Sequence, residues 1–206
     1  RIGYRTRLGR DQRGHELEGV VDPRELSRLI KQLESEGASF EGAEASFELL
    51  IRRHQKGYEA PFRLLDFTVF VEQRDGRDLR AEATVKVEVE GEVLHTAADG
   101  NGPVNALDSA LRKALRAFYP QLDGVHLVDY KVRILDGDAA TAAKTRVVID
   151  SASEWGTWST GGADTNIIAA SWQALGDSLE YALWKSGAQT RRRDERHFTT
   201  IQGDRP

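Results

Sequence analysis

The 206-residue sequence contains neither cysteine nor methionine. Without cysteine the chain forms no disulfide and offers no thiolate to a metal ion, so disulfide-stapled folds and thiolate zinc sites are excluded. No apolar run is long enough to span a bilayer, and no charged-then-apolar leader opens the sequence. We therefore expect a cytoplasmic protein without a membrane partner. The lack of methionine predicts an excerpt of a longer chain.

The chain also has little excess charge. Its 29 basic and 33 acidic residues give a net charge of -4 at pH 7, and 39% of its residues are hydrophobic. This composition is typical of a globular domain. A nucleic-acid binder usually has a basic balance, so we expect no nucleic acid among the partners.

The first third of the sequence predicts a linker followed by two helices. Residues 1–21 are polar and show no periodicity. A helix is predicted from Asp22-Pro23, which suit its cap and first turn, to Gly37, which suits its end. A second helix is predicted at about 41–54. Its apolar face is predicted to contain Ala43, Phe47, Leu50 and Ile51.

A period of two begins after Phe62 and indicates three strands. The clearest runs over 81–90, where alanines and valines alternate with charged residues, as in a sheet with one dry face. It is preceded by a strand around 67–71 and followed by one at about 92–98. The glycine-rich segment Gly100–Pro103 then leads into a helix predicted at 104–118.

The same order repeats in the second half. Strands are predicted at 126–134, 145–149 and 155–160, followed by Gly161-Gly162 and a helix at about 166–184, in which Asn166-Ile167 corresponds to Asn105-Ala106. The predicted fold class is α+β, with two βββα repeats forming a pseudo-twofold domain over 61–185 after a helical subdomain within 1–60. Residues 186–206 are predicted to be a flexible tail.

Several segments resemble the regulatory domain of the isopropylmalate synthase family. They are G-N-G-P-V-N-A-L from Gly100, L-V-D-Y-K-V-R-I-L from Leu127, T-R-V from Thr145 and N-I-I-A-A-S from Asn166. The residues of these segments are most similar to those of the citramalate synthase branch. Residues Glu34 to Leu50 resemble the helical hinge subdomain that precedes this domain. The resemblance covers roughly residues 22–184.

The resemblance implies a homodimer that binds a feedback amino acid where the two halves and the two subunits meet. The favoured effector is isoleucine, with leucine next. The parent enzyme would be a metal-dependent acyltransferase that condenses acetyl-CoA with pyruvate or 2-oxoisovalerate. This chain is expected to contain no catalytic residue, no metal ligand and no cofactor. The effector-binding residues that the resemblance implies are Asn101, Gly102, Pro103, Val104, Leu127, Tyr130, Ile134, Thr141 and Ile167.

The residue types suit such an effector. A helix N-terminus preceded by glycines attracts a carboxylate, and both Gly100–Pro103 and Gly161–Ala163 are predicted to provide one. Tyr130 and Ile134 are four residues apart on one strand and share a face. Leu127 points to the other face unless it lies at a bulge or acts across a subunit boundary. A core role for these apolar residues remains the alternative.

Two other classes of function remain possible. The order α-β-β-β-α over 41–118 is that of a double-stranded-RNA-binding domain, which would need a lysine cluster at its second helix. That helix begins Val-Asn-Ala-Leu-Asp, so the pattern disfavours RNA. An autonomous enzyme would need a nucleophile and base at a recognisable spacing, or a His-x-His pair for a metal, and the sequence has neither.

We predict that this chain alone has no synthase activity, because its sequence offers no set of residues that would hold a catalytic metal. A thiol-release assay with acetyl-CoA and pyruvate should stay at background. Turnover that persists after repurification would contradict the prediction.

Overall fold

The computed structural model of the protein describes residues 23–135 and 137–188. Asp22, the predicted linker 1–21 and residues 189–206 of the predicted tail lie outside the described residues. In chain order the elements are α1 (Pro23–Ser35), α2 (Glu44–Arg53), β1 (Arg63–Glu72), β2 (Arg80–Val89), β3 (Glu92–Gly100), α3 (Pro103–Leu115), β4 (His126–Ile134), β5 (Thr145–Ser153), β6 (Gly156–Asp164) and α4 (Ile167–Lys185).

The six strands form two antiparallel sheets, ordered β1-β2-β3 and β4-β5-β6, and each sheet is followed by a helix. This confirms the predicted α+β class with two βββα repeats. The chain divides into two compact units. The first contains the described residues of Arg1–Ala60 and His126–Tyr181, and the second those of Pro61–Val125 and Ala182–Pro206.

In the second unit, helix α3 covers one face of the sheet β1-β2-β3. Val85 and Val87 on β2 and Leu107 and Leu111 on α3 are fully buried. Each such side chain contributes about 1.5–3 kcal/mol of hydrophobic stabilisation. The Thr96 hydroxyl on β3 donates a hydrogen bond of 2.8 Å to a carbonyl of α3, which ties the helix to the sheet.

In the first unit, helix α4 covers the sheet β4-β5-β6 in the same way. Val147 and Ile149 on β5 and Leu175 and Leu179 on α4 are fully buried. The Thr160 hydroxyl on β6 donates a hydrogen bond of 2.8 Å to a carbonyl of α4. It occupies the position that Thr96 has in the other unit, so the repeat extends to individual side chains.

The repeats correspond more closely than the sequence indicated, but in a different alignment. The register of β1 shifts between Leu64 and Asp66, and that of β4 shifts between Leu127 and Asp129. The helices begin at Pro103 and Ile167. The residues directly before the two helices are therefore equivalent to each other, so that Asn166 corresponds to Gly102. The predicted match of Asn105-Ala106 with Asn166-Ile167 is three residues out of step.

Helix α1 ends at Gly37, as predicted. Gly37 has a positive φ of 100°, and the Ala38 N–H donates to the Leu33 carbonyl at 2.9 Å. This geometry is a Schellman motif, which requires a left-handed residue and therefore favours glycine.

The buried side of helix α2 differs from the predicted face. Ala45, Ser46 and Leu49 are its buried residues, whereas Phe47 and Leu50 are only half-buried. The apolar periodicity failed here because the buried side includes polar Ser46, which hydrogen bonds to neighbouring elements.

The unit boundaries bear on the RNA-binding alternative. Such a domain needs its first helix in the same module as its three strands. Helix α2 belongs instead to the unit that contains β4, β5 and β6. The module β1-β2-β3-α3 has no helix before it in its own unit among the described residues, and RNA binding is therefore not favoured.

We predict that Gly162→Ala destabilises the protein by about 1–3 kcal/mol or more, the usual range for an overpacked core. An added Cβ at Gly162 would lie 2.1 Å from the Ala170 carbonyl oxygen, so α4 would have to move away from β6. Gly124→Ala is the control, because its added Cβ meets nothing within 4 Å. Urea unfolding should show a lower midpoint for Gly162→Ala only. Equal midpoints for the two variants would show that α4 does not pack this closely against β6.

Candidate functional site

Strand β4 positions three of the predicted effector-binding residues on one face. Leu127 lies opposite Ser151 of β5, and Tyr130 lies opposite Ile149. Because Ser151 and Ile149 are two residues apart in a regular strand, their partners share a face. Leu127 was expected on the other face unless it lay at a bulge or acted across a subunit boundary. The register shift between Leu127 and Asp129 is such a bulge.

Ile134 continues this face at the end of β4, where it pairs with Thr145. The face is covered unevenly. Leu127 and Tyr130 are half-buried, whereas Val132 is 44% and Ile134 is 60% exposed. Val147, beside Val132 in the sheet, is fully buried. Helix α4 therefore covers the central strand of the sheet and leaves the end of β4 open.

The Tyr130 hydroxyl connects this face to the first turn of α4. It lies 2.8 Å from the Ser171 hydroxyl oxygen, and the Ser171 hydroxyl donates to the Ile167 carbonyl at 2.7 Å. Because Ser171 has a single hydroxyl proton, Tyr130 is the donor to Ser171. Tyr130 is thus linked through Ser171 to the backbone carbonyl of Ile167, another predicted effector-binding residue. The Ile167 side chain is 39% exposed.

Thr141 lies in the connection between β4 and β5, within the short 3₁₀ segment Gly137–Ala142, and is exposed. The Leu135 N–H donates to the Lys144 carbonyl at 2.8 Å, which closes the base of this connection next to Ile134. Thr141 therefore lies at the open end of β4, and its hydroxyl has no hydrogen-bond partner among the described residues.

Asn101, Gly102, Pro103 and Val104 belong to the other unit, where they form the start of α3. Gly102 is the N-cap in an extended conformation without a side-chain cap, and Pro103 is the first helical residue. The Asn105 side chain accepts a hydrogen bond of 3.1 Å from the Asn101 N–H. This helix start has no acidic residue in its first turn, so its positive end is not neutralised by a side chain of that turn.

The second predicted glycine loop is wrong. Gly161, Gly162 and Ala163 lie within strand β6 and pair with β5, so they do not precede a helix N-terminus directly. The start of α4 is instead closed by Asn166, whose side-chain oxygen accepts from the Ile168 N–H at 2.8 Å and from the Ala169 N–H at 3.4 Å. Asparagine is a strong N-cap, and this cap occupies the donors that a ligand carboxylate would need.

Asp129, the neighbour of Tyr130 on β4, has a carboxylate that could pair with the ammonium of an amino acid, but it is already paired. The Lys131 ammonium lies 2.8 Å from Asp129 and 2.7 Å from Asp150. Its hydrogen bond holds the pKa of the Asp129 carboxyl below the ordinary value. The carboxylate is exposed and charge-compensated, which favours the reading of Asp129 as a solvated strand residue.

The sequence reasoning missed a partly buried polar cluster that joins α2 to α4. The Arg53 guanidinium donates to Asp177 at 2.7 Å and to Glu180 at 2.6 and 3.0 Å. Ser46 donates to the other oxygen of Asp177 at 2.6 Å, and the Tyr58 hydroxyl donates to Glu180. A signal for this cluster was present, because Asp177 and Glu180 are the only acidic residues of the largely apolar helix α4.

The charges in this cluster are held by opposing effects. Burial raises the pKa of the Asp177 carboxyl, although Arg53 and the Ser46 hydroxyl favour its ionised form. Burial lowers the pKa of Arg53, but the hydrogen bonds and charges of Glu180 and Asp177 outweigh it and keep the pKa above its ordinary value. Removing one member of such a cluster leaves a buried charge without its partner.

No group of three or more histidine, aspartate or glutamate side chains is placed to hold a metal ion within residues 23–135 and 137–188. Among the same residues, no helix is long and apolar enough to cross a membrane.

Comparison with known proteins gives a consistent result. The family model of the LeuA allosteric (dimerisation) domain matches residues 41–183. The (R)-citramalate synthase of Geobacter sulfurreducens is 51% identical over 164 residues, which are 79% of this chain and 31% of that protein. The (R)-citramalate synthase of Aquifex aeolicus is 48% identical over 186 residues, 86% of this chain and 35% of that protein.

A 2-isopropylmalate synthase of Aquifex aeolicus is also similar, at 33% identity over 142 residues, which are 68% of this chain and 25% of that protein. The chain thus spans about a third of the length of the two citramalate synthases named above. This identity is lower than that to the citramalate synthases of Geobacter sulfurreducens and Aquifex aeolicus.

Proposed function

This chain belongs to the LeuA allosteric (dimerisation) domain family of citramalate and 2-isopropylmalate synthases, and from that premise we propose that it is the sensor of a citramalate synthase-type acyltransferase. In this proposal it binds a branched-chain amino acid, isoleucine in preference to leucine, and mediates feedback inhibition. The catalytic part that condenses acetyl-CoA with pyruvate, and that holds the divalent metal, would lie elsewhere in the parent enzyme.

The observation that carries the proposal is the half-open apolar face of β4. Leu127, Tyr130 and Ile134 share this face, and Ile134 is 60% exposed at its open end. A free branched-chain amino acid needs an apolar wall for its side chain and donors for its carboxylate. Tyr130 supplies part of the wall, and its hydroxyl is fixed by Ser171, so the ring is held in one orientation.

The start of α3, in the second unit, is a separate candidate for binding a carboxylate. Asn101 to Val104 form a helix start without a side-chain cap, which suits a carboxylate. Its equivalent at α4 is closed by Asn166. In the proposal the β4 face, with Thr141 and Ile167 at its margin, contacts the effector side chain, and the start of α3 is by itself a candidate for binding a carboxylate.

The same face supports the proposal that the chain acts as a homodimer. Exposed apolar side chains on an otherwise charged surface are typical of an interface. On the helix-facing side of β4 they are Val132 at 44% and Ile134 at 60% exposure, and β1 of the other unit likewise exposes Val71 at 47%. A second copy of the chain is the occupant that the family description favours.

Isoleucine should raise the melting temperature more than leucine or valine in a thermal-shift titration. A ligand that binds only the folded state stabilises it by about 2.7 kcal/mol at a hundredfold excess over its Kd. Discrimination between isoleucine and leucine should be modest, since such shape differences are worth about 1–3 kcal/mol. Tyr130→Ala should abolish the shift, whereas Phe70→Ala, a truncation of an exposed aromatic residue in the other unit, should keep it. A larger rise of the melting temperature with leucine would indicate that the parent is an isopropylmalate synthase. No rise with any branched-chain amino acid would contradict the sensor function.

Light scattering should give a particle of about twice the chain mass of 23.0 kDa. Ile134→Lys should shift the equilibrium towards monomer, because a lysine at an apolar interface loses its hydration. Leu79→Lys is the matched control, an exposed leucine in the connection between β1 and β2. A monomeric mass at high micromolar concentration, or equal dissociation of the two variants, would count against the proposed interface.

A further inference from the structure

A cavity of about 310 Å³ lies along the outer edge of β6. None of the nine predicted effector-binding residues lines it. It is contained in the first unit. Its walls come from the end of α1 and the loop that follows, from Ser46 on α2, from Arg146 on β5, from Gly161–Ala163 on β6 and from Gln173 on α4. Its volume is at the lower end of the range for small-molecule sites.

The floor of the cavity is the backbone of an edge strand. β6 is the outermost strand of its sheet, so alternate peptide groups point away from β5. The Gly161 N–H donates to the Ser46 hydroxyl oxygen at 3.0 Å, and the Ala163 N–H donates to the Gln173 side-chain oxygen at 3.1 Å. Both outward donors are thereby satisfied.

The outward carbonyls are different. In a strand the N–H and C=O of one residue point to the same side, so the carbonyls of Gly161 and Ala163 also face away from β5. Neither carbonyl accepts a hydrogen bond from another described residue. An added Cβ at Gly161 would lie 3.1 Å from the Ala43 side chain, so glycine lets the residue before α2 pack closely on the strand here. The floor therefore offers two acceptors to a donor that approaches closely.

Opposite charges lie in the walls. The Arg146 guanidinium donates from Nε at 3.2 Å and from Nη2 at 2.9 Å to the Gly37 carbonyl, which fixes its plane and leaves Nη1 as a donor. Gln173 keeps its side-chain NH₂ as a second donor, since only its oxygen is used. Glu36, directly after α1, contributes an exposed carboxylate, one oxygen of which accepts from the Gln32 amide at 3.1 Å.

The remaining lining is apolar. Leu33 and Phe40 are half-buried on the helical side of the cavity, and the Phe40 ring packs against Phe47 with centroids 5.4 Å apart. The cavity thus offers two donors that suit a carboxylate, and three acceptors, one of them anionic, that suit an ammonium. Its apolar wall suits an apolar side chain.

We infer that this cavity is a second small-molecule site, which binds an α-amino acid with an apolar side chain. Arg146 and Gln173 bind its carboxylate, Glu36 and the carbonyls of Gly161 and Ala163 bind its ammonium, and Leu33 and Phe40 contact its side chain. The site is independent of the proposed sensor site, because neither Tyr130 nor the start of α3 lines it.

The site would also act on the polar cluster between α2 and α4. Ser46 accepts from the Gly161 N–H in the cavity floor and donates to Asp177, which is bound by Arg53. A ligand that binds α1, β6 and α4 together thus holds the helical pair against the sheet and stabilises this unit.

The test is an NMR titration of the 206-residue chain with L-leucine, with isocaproate as the analogue without the amine, and with isopentylamine as the analogue without the carboxylate. The amide signals of Ala38, Ser39 and Gly161–Ala163 report on the cavity, and those of Tyr130 and Ser171 report on the sensor site. We expect saturable shifts of the cavity signals with leucine, and much weaker ones with either analogue.

Glu36→Gln should raise the Kd measured from the cavity signals about tenfold, the usual effect of losing one hydrogen bond to a charged group. Glu34→Gln is the matched control, an exposed glutamate on α1 that does not line the cavity, and its Kd should not change. Leucine shifts confined to Tyr130 and Ser171, equal binding of isocaproate, or equal Kd values for the two variants would each overturn the proposal.

Discussion

The position of α4 on its sheet is the constraint on which the first unit depends. The Thr160 hydroxyl bonds to α4, and Gly162 allows α4 to approach β6 so closely that an added Cβ would lie 2.1 Å from the Ala170 carbonyl oxygen. The helix therefore lies towards β6 and fully buries the inward-facing Val147, Ile149 and Ser151 of β5, while the end of β4 remains open. The open end creates the apolar face around Tyr130, and the same placement brings Gln173 to the outer edge of β6.

The edge of β6 is protected by side chains and not by another strand. An unpaired edge is prone to association with other chains. Here Ser46 from α2 and Gln173 from α4 accept from its outward N–H groups. Ser46 is also bonded to Asp177, so the same residue that covers the edge joins the Arg53–Asp177–Glu180 cluster. Helix α2 is thus held to α4 and to β6 by polar contacts whose partners lie more than a hundred residues apart in sequence.

The two repeats share a framework and differ where a ligand would bind. The bulges in β1 and β4 and the threonine bonds to the covering helices are equivalent. The residue that precedes the helix is glycine in one repeat and asparagine in the other. Asn166 caps its own helix, whereas Gly102 provides no side-chain cap, and so only the start of α3 is suited to an external carboxylate. This difference explains why one of the two glycine segments that looked alike in sequence was a wrong prediction.

The sequence alone determined the elements and their order, because the period of two in 81–90 and the apolar stripe of α4 are local consequences of one dry face on each element. It also determined that Gly37 ends α1, since the left-handed turn is a property of that residue. Only the tertiary structure decided that Leu127 shares a face with Tyr130, because a bulge depends on the pairing with β5. It likewise decided that Ser46 and Arg53 are bound to α4 and that a cavity lies beside β6. Those contacts join residues distant in the chain, and neither residue type nor local periodicity encodes which partner a polar side chain meets.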